Sequence, residues 1–251
     1  MQIILFFCTF VCKNETYINT HMKNRLPVLL AAVLLAVSAC GPARYASDFN
    51  PKLIDEYALI QPYSHVIYYN ERNTPMYDAG LSEDAAELLK SVIESERYPF
   101  TSPIRMDYRG SDATVSRWLD SFADMNIYRA GRLRVPDRLV QAVKASGHRY
   151  GIVFYSYGHI QSPEGRRLEE MERATVRLIE KIADKIAEKK SNPSYIPRTE
   201  PYNNKIYYAV VDTQTGLVLD LACENSFFYS DPVNASDVRS ILASLLKPFV
   251  E

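Results

Sequence analysis

The apolar positions of this chain follow two periods, one typical of strands and one typical of helices. Residues 150–157 are apolar or aromatic at almost every position, which predicts a central strand covered on both faces, and Gly158 is expected to end it. Residues 205–212 predict another strand, and the alternation in residues 217–224 predicts a half-exposed one. Because Asp212–Gly216 supplies turn-forming residues between them, these two strands are expected to form a β-hairpin.

Apolar residues at helical spacing separate these strands and follow a further strand at residues 65–69. Capping residues or proline predict helix starts at Ser82, Ser111, Pro136, and Asn234 or Ser236. Gly147 and Gly216 stand where a left-handed backbone is needed, and the prolines in residues 98–107 restrict that segment to an edge strand. The pattern predicts an α/β fold: a mixed, mainly antiparallel sheet with helices packed on it, in a single domain at residues 62–251.

Residues 164–190 predict one long, highly charged helix of about 40 Å, at 1.5 Å per residue. Its apolar positions form a narrow stripe, namely Leu168, Met171, Thr175, Leu178, Ile182 and Ile186. Two interpretations stay open. Either the helix lies on the sheet along this edge, or the stripe binds a protein partner.

The amino-terminal region is typical of bacterial export signals. After Lys23 and Arg25, 14 apolar or small residues run to Ala39, whereas a membrane-spanning helix needs roughly 20. The small residues before Cys40 resemble the lipobox of bacterial lipoproteins. This resemblance implies cleavage between Ala39 and Cys40 and acylation of the Cys40 thiol, with two or three chains that anchor the protein firmly.

These observations predict four regions in the chain. Residues 1–21, where charges follow an apolar run, are interpreted as a start-site extension, and residues 22–39 as the signal peptide. Residues 40–61, rich in breakers of regular structure, are interpreted as a lipidated tether before the α/β domain. Since Gly41 follows Cys40 and no acidic cluster comes next, we expect an anchor in the outer membrane, facing the periplasm.

Composition excludes several function classes. The formal net charge of the whole chain is −1, and no basic patch stands out, so the sequence does not indicate nucleic-acid binding. Cys223 is the single cysteine after Cys40, so no disulfide is expected within the domain, and its strand position predicts a buried side chain. No histidine has the spacing of a metal site, and no cofactor motif is present.

Few side chains in the sequence stand out as candidates for chemistry. Ser156 lies in a sequence that lacks the first glycine of a nucleophile elbow, so no catalytic residue is assigned. His159, at the expected strand end, is the best single candidate for a ligand contact, together with Tyr155 and Tyr157. The chain has 18 tyrosines, and those in predicted strands either stack on glycans or pack across the sheet.

The order of elements resembles a known group of domains. Residues 136–157 and 208–221, with Val211-Asp212-Thr213-Gln214-Thr215-Gly216, resemble the α/β domain of the curli-secretion lipoprotein and the amino-terminal domain of TolB. The helix at 164–190 is longer than that pattern requires, and no strands suggest a pore. The resemblance implies a non-catalytic, envelope-anchored domain that assembles with other proteins.

The sequence therefore predicts a lipid-anchored accessory or scaffold in an envelope protein assembly. Its partners are membrane lipid, through acylated Cys40, and an envelope protein. Two alternatives stay open, a glycan- or peptidoglycan-binding module that uses strand tyrosines and an envelope hydrolase with a site near His159.

Overall fold

The apolar stretch that begins at Tyr150 forms the centre of the fold. The computed structural model describes residues 43–46, 49–125, 127, 130, 133–186, 200–225 and 229–250, and in it this stretch is a strand of 12 residues, Tyr150–Gln161. The strand continues past Gly158 instead of ending there, because neighbouring strands pair with it on both sides. Glycine is required at that point, since a Cβ would lie 2.6 Å from the carbonyl oxygen of Asn203.

One sheet and two layers of helices make up the described residues. The strands are β1 (Ala43–Ala46), β2 (Ala58–Leu59), β3 (Tyr63–Tyr69), β4 (Pro75–Tyr77), β5 (Tyr150–Gln161), β6 (Tyr202–Asp212) and β7 (Leu217–Asn225). The helices are α1 (Ala79–Ser95), α2 (Ala113–Asp120), α3 (Asp137–Ala145), α4 (Pro163–Ile186), α5 (Ala235–Leu245) and α6 (Lys247–Val250), with a 3-10 turn at Pro51–Leu53. Residues 42–251 form one compact unit.

The sheet is mixed and mainly antiparallel, which confirms the predicted fold class. Its strand order is β1-β7-β6-β5-β3-β4, and β2 pairs with β5 in line with β3. The pairs that β5 makes with β2 and β3 are parallel, and the other pairs between strands are antiparallel. Strand β5 therefore pairs with strands on both sides along most of its length.

Alternate side chains of the central strands enter two separate cores. Tyr155 and Tyr207 pack with Leu119 and Leu139 of α2 and α3 on one face. On the opposite face, Phe154 and Tyr208 pack with side chains of α1, α5 and α6, namely Leu89, Val92, Val238, Ile241, Leu242 and Phe249. Because both faces are covered, β5 has no polar side, as its sequence indicates.

Helix boundaries differ from the predicted ones by up to four residues. The N-cap of α1 is Asp78, whose Oδ1 accepts a hydrogen bond from the backbone N of Leu81 at 2.9 Å, so the expectation for Ser82 is wrong. Ser82 instead lies in the first turn, and its Oγ accepts from the backbone N of Val66 at 3.0 Å. Helix α2 has Asp112 at its N-cap position, one residue after Ser111. Asn234 caps α5, as expected.

The remaining turn and edge predictions hold in part. Gly147 and Gly216 have φ angles of +84° and +68°, which confirms the left-handed positions. Residues 98–107 contribute only isolated bridges, from Phe100 to Tyr57 and from Ile104 to Ile60. Two strands also precede the one expected to be first.

The hairpin of β6 and β7 is present, but its alternation changes along β7. Leu217, Leu219, Leu221 and Cys223 were expected on one face. Leu221 and Cys223 enter the core beneath α2 and α3, whereas Leu219 packs against the opposite one. The cause is a register shift in the pairing of β6 with β7. Val210 pairs with Asp220 and Val211 with Val218, so Leu219 is an extra residue of β7 and the alternation changes face there.

The segment interpreted as a tether belongs largely to the domain. Strand β1 pairs with β7 from Ala43, and Tyr57 to Ile60 are fully buried. The domain therefore begins near residue 43 and not at 62, because Tyr57, Ala58, Leu59 and Ile60 supply apolar side chains that its two cores need. The predicted extension, signal peptide and Cys40 lie outside the described residues.

A buried ion pair ties β1 to the sheet. Arg44 donates from Nε to Asp220 Oδ1 at 3.0 Å and from Nη2 to Oδ2 at 2.6 Å, and Tyr208 donates its hydroxyl to Oδ2 at 2.8 Å. The Asp220 side chain has no solvent exposure. Its carboxylate is therefore compensated by a guanidinium from a strand of only four residues.

The Arg44→Ala variant should lose about 3 kcal/mol of unfolding free energy, because it leaves the Asp220 carboxylate buried without its cation. Urea denaturation of the purified protein measures this loss. Adding Asp220→Asn to the variant should recover part of the stability, since the neutral amide still accepts from Tyr208. Unchanged stability of Arg44→Ala would contradict the role given to this pair.

Candidate functional site

Helix α4 exposes its apolar stripe to solvent. In the stripe, the exposed fractions are 38% for Leu168, 68% for Met171, 58% for Leu178 and 50% for Ile182, and Ile179 next to the stripe is 60% exposed. The interpretation that the helix lies on the sheet along this edge is wrong for these side chains. Within the described ranges, the hydrogen bonds that attach α4 to the sheet lie at its first turns, and Met171, Leu178 and Ile182 come after them along the helix.

The start of α4 is fixed by the turn between β3 and β4. Ser162 donates its backbone N–H to the Tyr69 carbonyl at 2.9 Å, and its Oγ accepts from the backbone N of Gly165 at 3.0 Å. Asn73 donates from Nδ2 to the Gly165 carbonyl at 3.1 Å. Asn73 has a φ of +55°, a conformation that asparagine tolerates better than most residues. These contacts set the position from which the helix leaves the sheet.

Gly165 makes this close approach possible. A Cβ at residue 165 would lie 2.5 Å from Asn73 Oδ1 and 2.7 Å from the carbonyl oxygen of Asn70. One turn later, Gln161 donates from Nε2 to Glu169 Oε2 at 2.9 Å, and Arg173 pairs with Glu169. The first two turns are therefore attached by polar contacts, while the apolar stripe faces away.

His159 does not join a catalytic arrangement in the described residues. Its Nε2 lies 2.7 Å from the Glu200 carbonyl oxygen, and its ring packs edge-on against Tyr69 at 5.4 Å. Ser156 is 2% exposed and donates to Asn204 Oδ1 at 2.7 Å, so its hydroxyl does not face a cleft. His159 and Ser156, the two residues considered for chemistry, therefore both make hydrogen-bond contacts within the fold.

A histidine–carboxylate contact occurs at His65 instead. Its Nδ1 lies 3.1 Å from Asp120 Oδ1, which also accepts from the Tyr155 hydroxyl at 3.2 Å. The rings of Tyr77 and Tyr157 lie 4.9 and 5.7 Å from the imidazole. Sequence reasoning missed this group because Asp120 lies on α2, 55 residues away, and no spacing rule connects it to β3.

The predicted tyrosines divide between core and surface. Tyr155 is buried, and Tyr157 is 37% exposed on the same face of β5. Burial is the main cause that raises the pKa of both hydroxyls, and the nearby Asp120 carboxylate adds to it. Tyr207 and Tyr208 are buried as well, so packing across the sheet explains these three strand tyrosines.

Cys223 is buried, which confirms its prediction. Lys205, on the neighbouring strand, lies close to its thiol, a basic neighbour that the sequence did not suggest. Burial outweighs the effect of Lys205 and raises the pKa of the Cys223 thiol. The residue therefore fits a packing role.

Exposed aromatic and apolar side chains collect at one end of the sheet. Met76 and Tyr77 of β4 and Tyr157 of β5 lie there, and Tyr229 follows them because Ser230 donates to the Asn204 carbonyl at 3.3 Å. We call these four residues the aromatic end. The opposite end consists of the polar hairpin turn at 213–216 and the ion pair of Arg149 with Asp212 at 3.0 Å.

An open cleft of about 710 Å³ lies between α1 and the start of α2. Four of its charged side chains form two ion pairs, Arg138 with Asp112 at 2.6 Å and Lys90 with Glu87 at 2.9 Å. Within the described ranges, no group of three or more His, Cys, Asp or Glu side chains is placed to hold a metal ion. In that same part of the chain, no helix has both the length and the apolar character needed to cross a bilayer.

Comparisons with known proteins return low similarity. No protein-family model and no curated protein matches the sequence. A point variant of the PelC dodecamer from Paraburkholderia phytofirmans covers 83% of this chain and 97% of its own, with a TM-score of 0.34 and 10% identity. A second PelC dodecamer structure covers 83% and 95%, with a TM-score of 0.32 and 11% identity.

A DUF4136 family protein from Bacteroides thetaiotaomicron aligns over 82% of this chain and 95% of its own length, with a TM-score of 0.25 and 10% identity. All of these TM-scores lie below 0.5. The alignments therefore carry no argument about function, which has to come from the residues of this chain.

The Gly165→Ala variant should loosen the start of α4, because the added methyl overlaps Asn73 and the Asn70 carbonyl. We expect a stability loss of about 1–3 kcal/mol and faster amide hydrogen exchange in the first turns of α4. Mass spectrometry measures the rate of amide exchange in the first turns of α4. The matched control is Ala174→Ser, at an exposed position of the same helix. Equal exchange in both variants would show that the contact does not hold the helix.

Proposed function

We propose that this protein is a lipid-anchored envelope domain that binds a partner protein through α4 and has no catalytic role of its own. The observation that carries the proposal is the exposed stripe of α4. An isolated apolar side chain on a surface needs no explanation, but a contiguous row on a projecting helix is typical of an interaction site.

The stripe has the length and spacing of a helix-binding surface. From Leu168 to Ile182 it covers 14 steps, or about 21 Å at 1.5 Å per residue. Its positions at 168, 171, 175, 178 and 182 alternate intervals of three and four, the spacing of a two-helix seam. A helix of the partner with a matching stripe would bury these side chains.

Charges on α4 favour a protein over nucleic acid as the partner. Acidic and basic residues are interspersed along the helix, and Glu170 and Arg177 lie away from the stripe at helical spacing. A helix with such mixed charge presents no cationic face to phosphates. It presents an apolar seam with polar flanks, which suits a helix that remains in water until its partner binds.

The anchor completes the proposal. Acylation of Cys40 after cleavage at Ala39 would attach the domain to a membrane, and we place it in the outer membrane on the periplasmic side because Gly41 follows the cysteine. An anchored domain with an exposed helix is suited to an accessory or scaffold in an envelope assembly. The anchor would fix its location, and α4 would bind the partner protein.

The two alternatives have less support in the described residues. A glycan platform would use strand tyrosines, but Tyr155, Tyr207 and Tyr208 are buried in the cores. Tyr157 is exposed, with 37% of its surface accessible to solvent. A hydrolase near His159 would need a carboxylate beside it, and its closest polar contact is a backbone carbonyl.

The Cys40→Ala variant should leave the membrane fraction and appear in the soluble envelope fraction, because acyl chains provide the anchor. Cell fractionation and incorporation of labelled palmitate measure the two effects. A variant that stays membrane-bound, or a parent chain without label, would remove the anchor from the proposal.

The double variant Leu178→Glu/Ile182→Glu should abolish capture of the partner without changing membrane attachment, because each carboxylate would be desolvated at the seam. Crosslinking in cells, followed by purification in mild detergent, measures the amount of partner protein recovered with each variant. Glu170→Lys, on the opposite side of α4, is the matched control. Equal recovery of the same partner with the double variant would show that the stripe is not the binding surface.

A further inference from the structure

We propose that the aromatic end of the sheet faces the membrane and lies in its headgroup region. This inference rests on the proposed acylation of Cys40 and adds an orientation to it. The occupant of this surface is a phospholipid bilayer. The short length of chain after Cys40, the direction of β1 and the chemistry of the exposed side chains support this orientation.

Very little chain separates the anchor from the folded domain. Strand β1 begins at Ala43, so only residues 41 and 42 lie between it and Cys40. Three residue steps span at most about 11 Å when fully extended. The amino-terminal end of β1 is therefore held close to the bilayer surface in the acylated protein, and no long linker separates the domain from the membrane.

The direction of β1 selects which end of the sheet lies nearest. Ala43 pairs with Cys223, and because the two strands are antiparallel, the start of β1 points toward Asn225. Asn225 pairs with Lys205, which in turn pairs with Tyr157 of β5. The anchor therefore enters at the same end of the strands as Tyr157, which is the aromatic end, while β1 and β4 form the two opposite edges of the sheet.

The side chains at this end suit a lipid interface. Tyr77 is 46% exposed, Met76 54% and Tyr229 49%, and tyrosine is enriched where membrane meets water because its ring is apolar and its hydroxyl is polar. The far end has the opposite chemistry, with Gln214 exposed in a polar turn. Nine residue steps of β6, from Asn203 near the aromatic end to Asp212 near the hairpin turn, separate the two ends of the sheet by about 30 Å.

The experiment compares these two ends in the acylated, full-length mature protein. In a Cys223→Ala background, Met76→Cys and Gln214→Cys each receive one fluorophore, and each protein is reconstituted into phosphatidylethanolamine–phosphatidylglycerol vesicles that contain nitroxide-headgroup lipids. We expect strong quenching at residue 76 and loss of quenching at residue 214. Mass spectrometry of the amino-terminal peptide establishes the acylation of Cys40 in each sample.

The outcomes separate the two proposals. Acylated protein with equal quenching at both positions, or with stronger quenching at 214, would overturn the orientation and leave the anchor in place. Absence of acyl chains at Cys40 would overturn the anchor and the orientation with it. Peptidoglycan fragments that change the fluorescence at residue 76, where nitroxide lipids do not, would assign this end to a glycan instead of a bilayer.

Discussion

The buried pair of Arg44 and Asp220 determines where this domain begins. A carboxylate without solvent exposure requires a cation, and the cation here comes from a short strand at the amino-terminal end of the domain. Among the described contacts of β1, the backbone pairing with β7 would remain without Arg44. The ion pair thus makes the first residues of the domain part of its core structure, and Tyr208 links the same carboxylate to the packing beneath α5 and α6.

The sheet forms the cores of the domain, and the proposed recognition belongs to α4. Alternate side chains of β5 and β6 fill two cores, and the core residues do not include the stripe of α4. The helix is attached at its first turns by Ser162, Asn73 and Gly165. Because these contacts are polar and local, the apolar stripe stays available along most of the helix.

Patterns of period two or 3.6 predicted the strands and helices well, since burial on one or both faces determines them. Two-sided burial of β5 and the positive φ of Gly147 follow from such local rules. The sequence failed where a distant partner decides the outcome. The breakers before residue 62 concealed strand β1 because its cation pairs with Asp220, 176 residues away. Local patterns could not predict the contact of His65 with Asp120 either, because the two residues are far apart in the sequence. The bulge in β7 opposite Val210 and Val211 places Leu219 on an unexpected face.

The antiparallel pairing of β1 has a mechanical consequence for an anchored protein. Tension from the proposed acyl chains at Cys40 would act along the axis of β1, since Cys40 precedes the first residue of β1 by three positions in the sequence. A force in that direction loads the hydrogen bonds of the ladder in shear, so they share it and do not open one after another. The guanidinium of Arg44 adds a further crosslink against sliding, so the edge strand would resist detachment of the domain from its membrane.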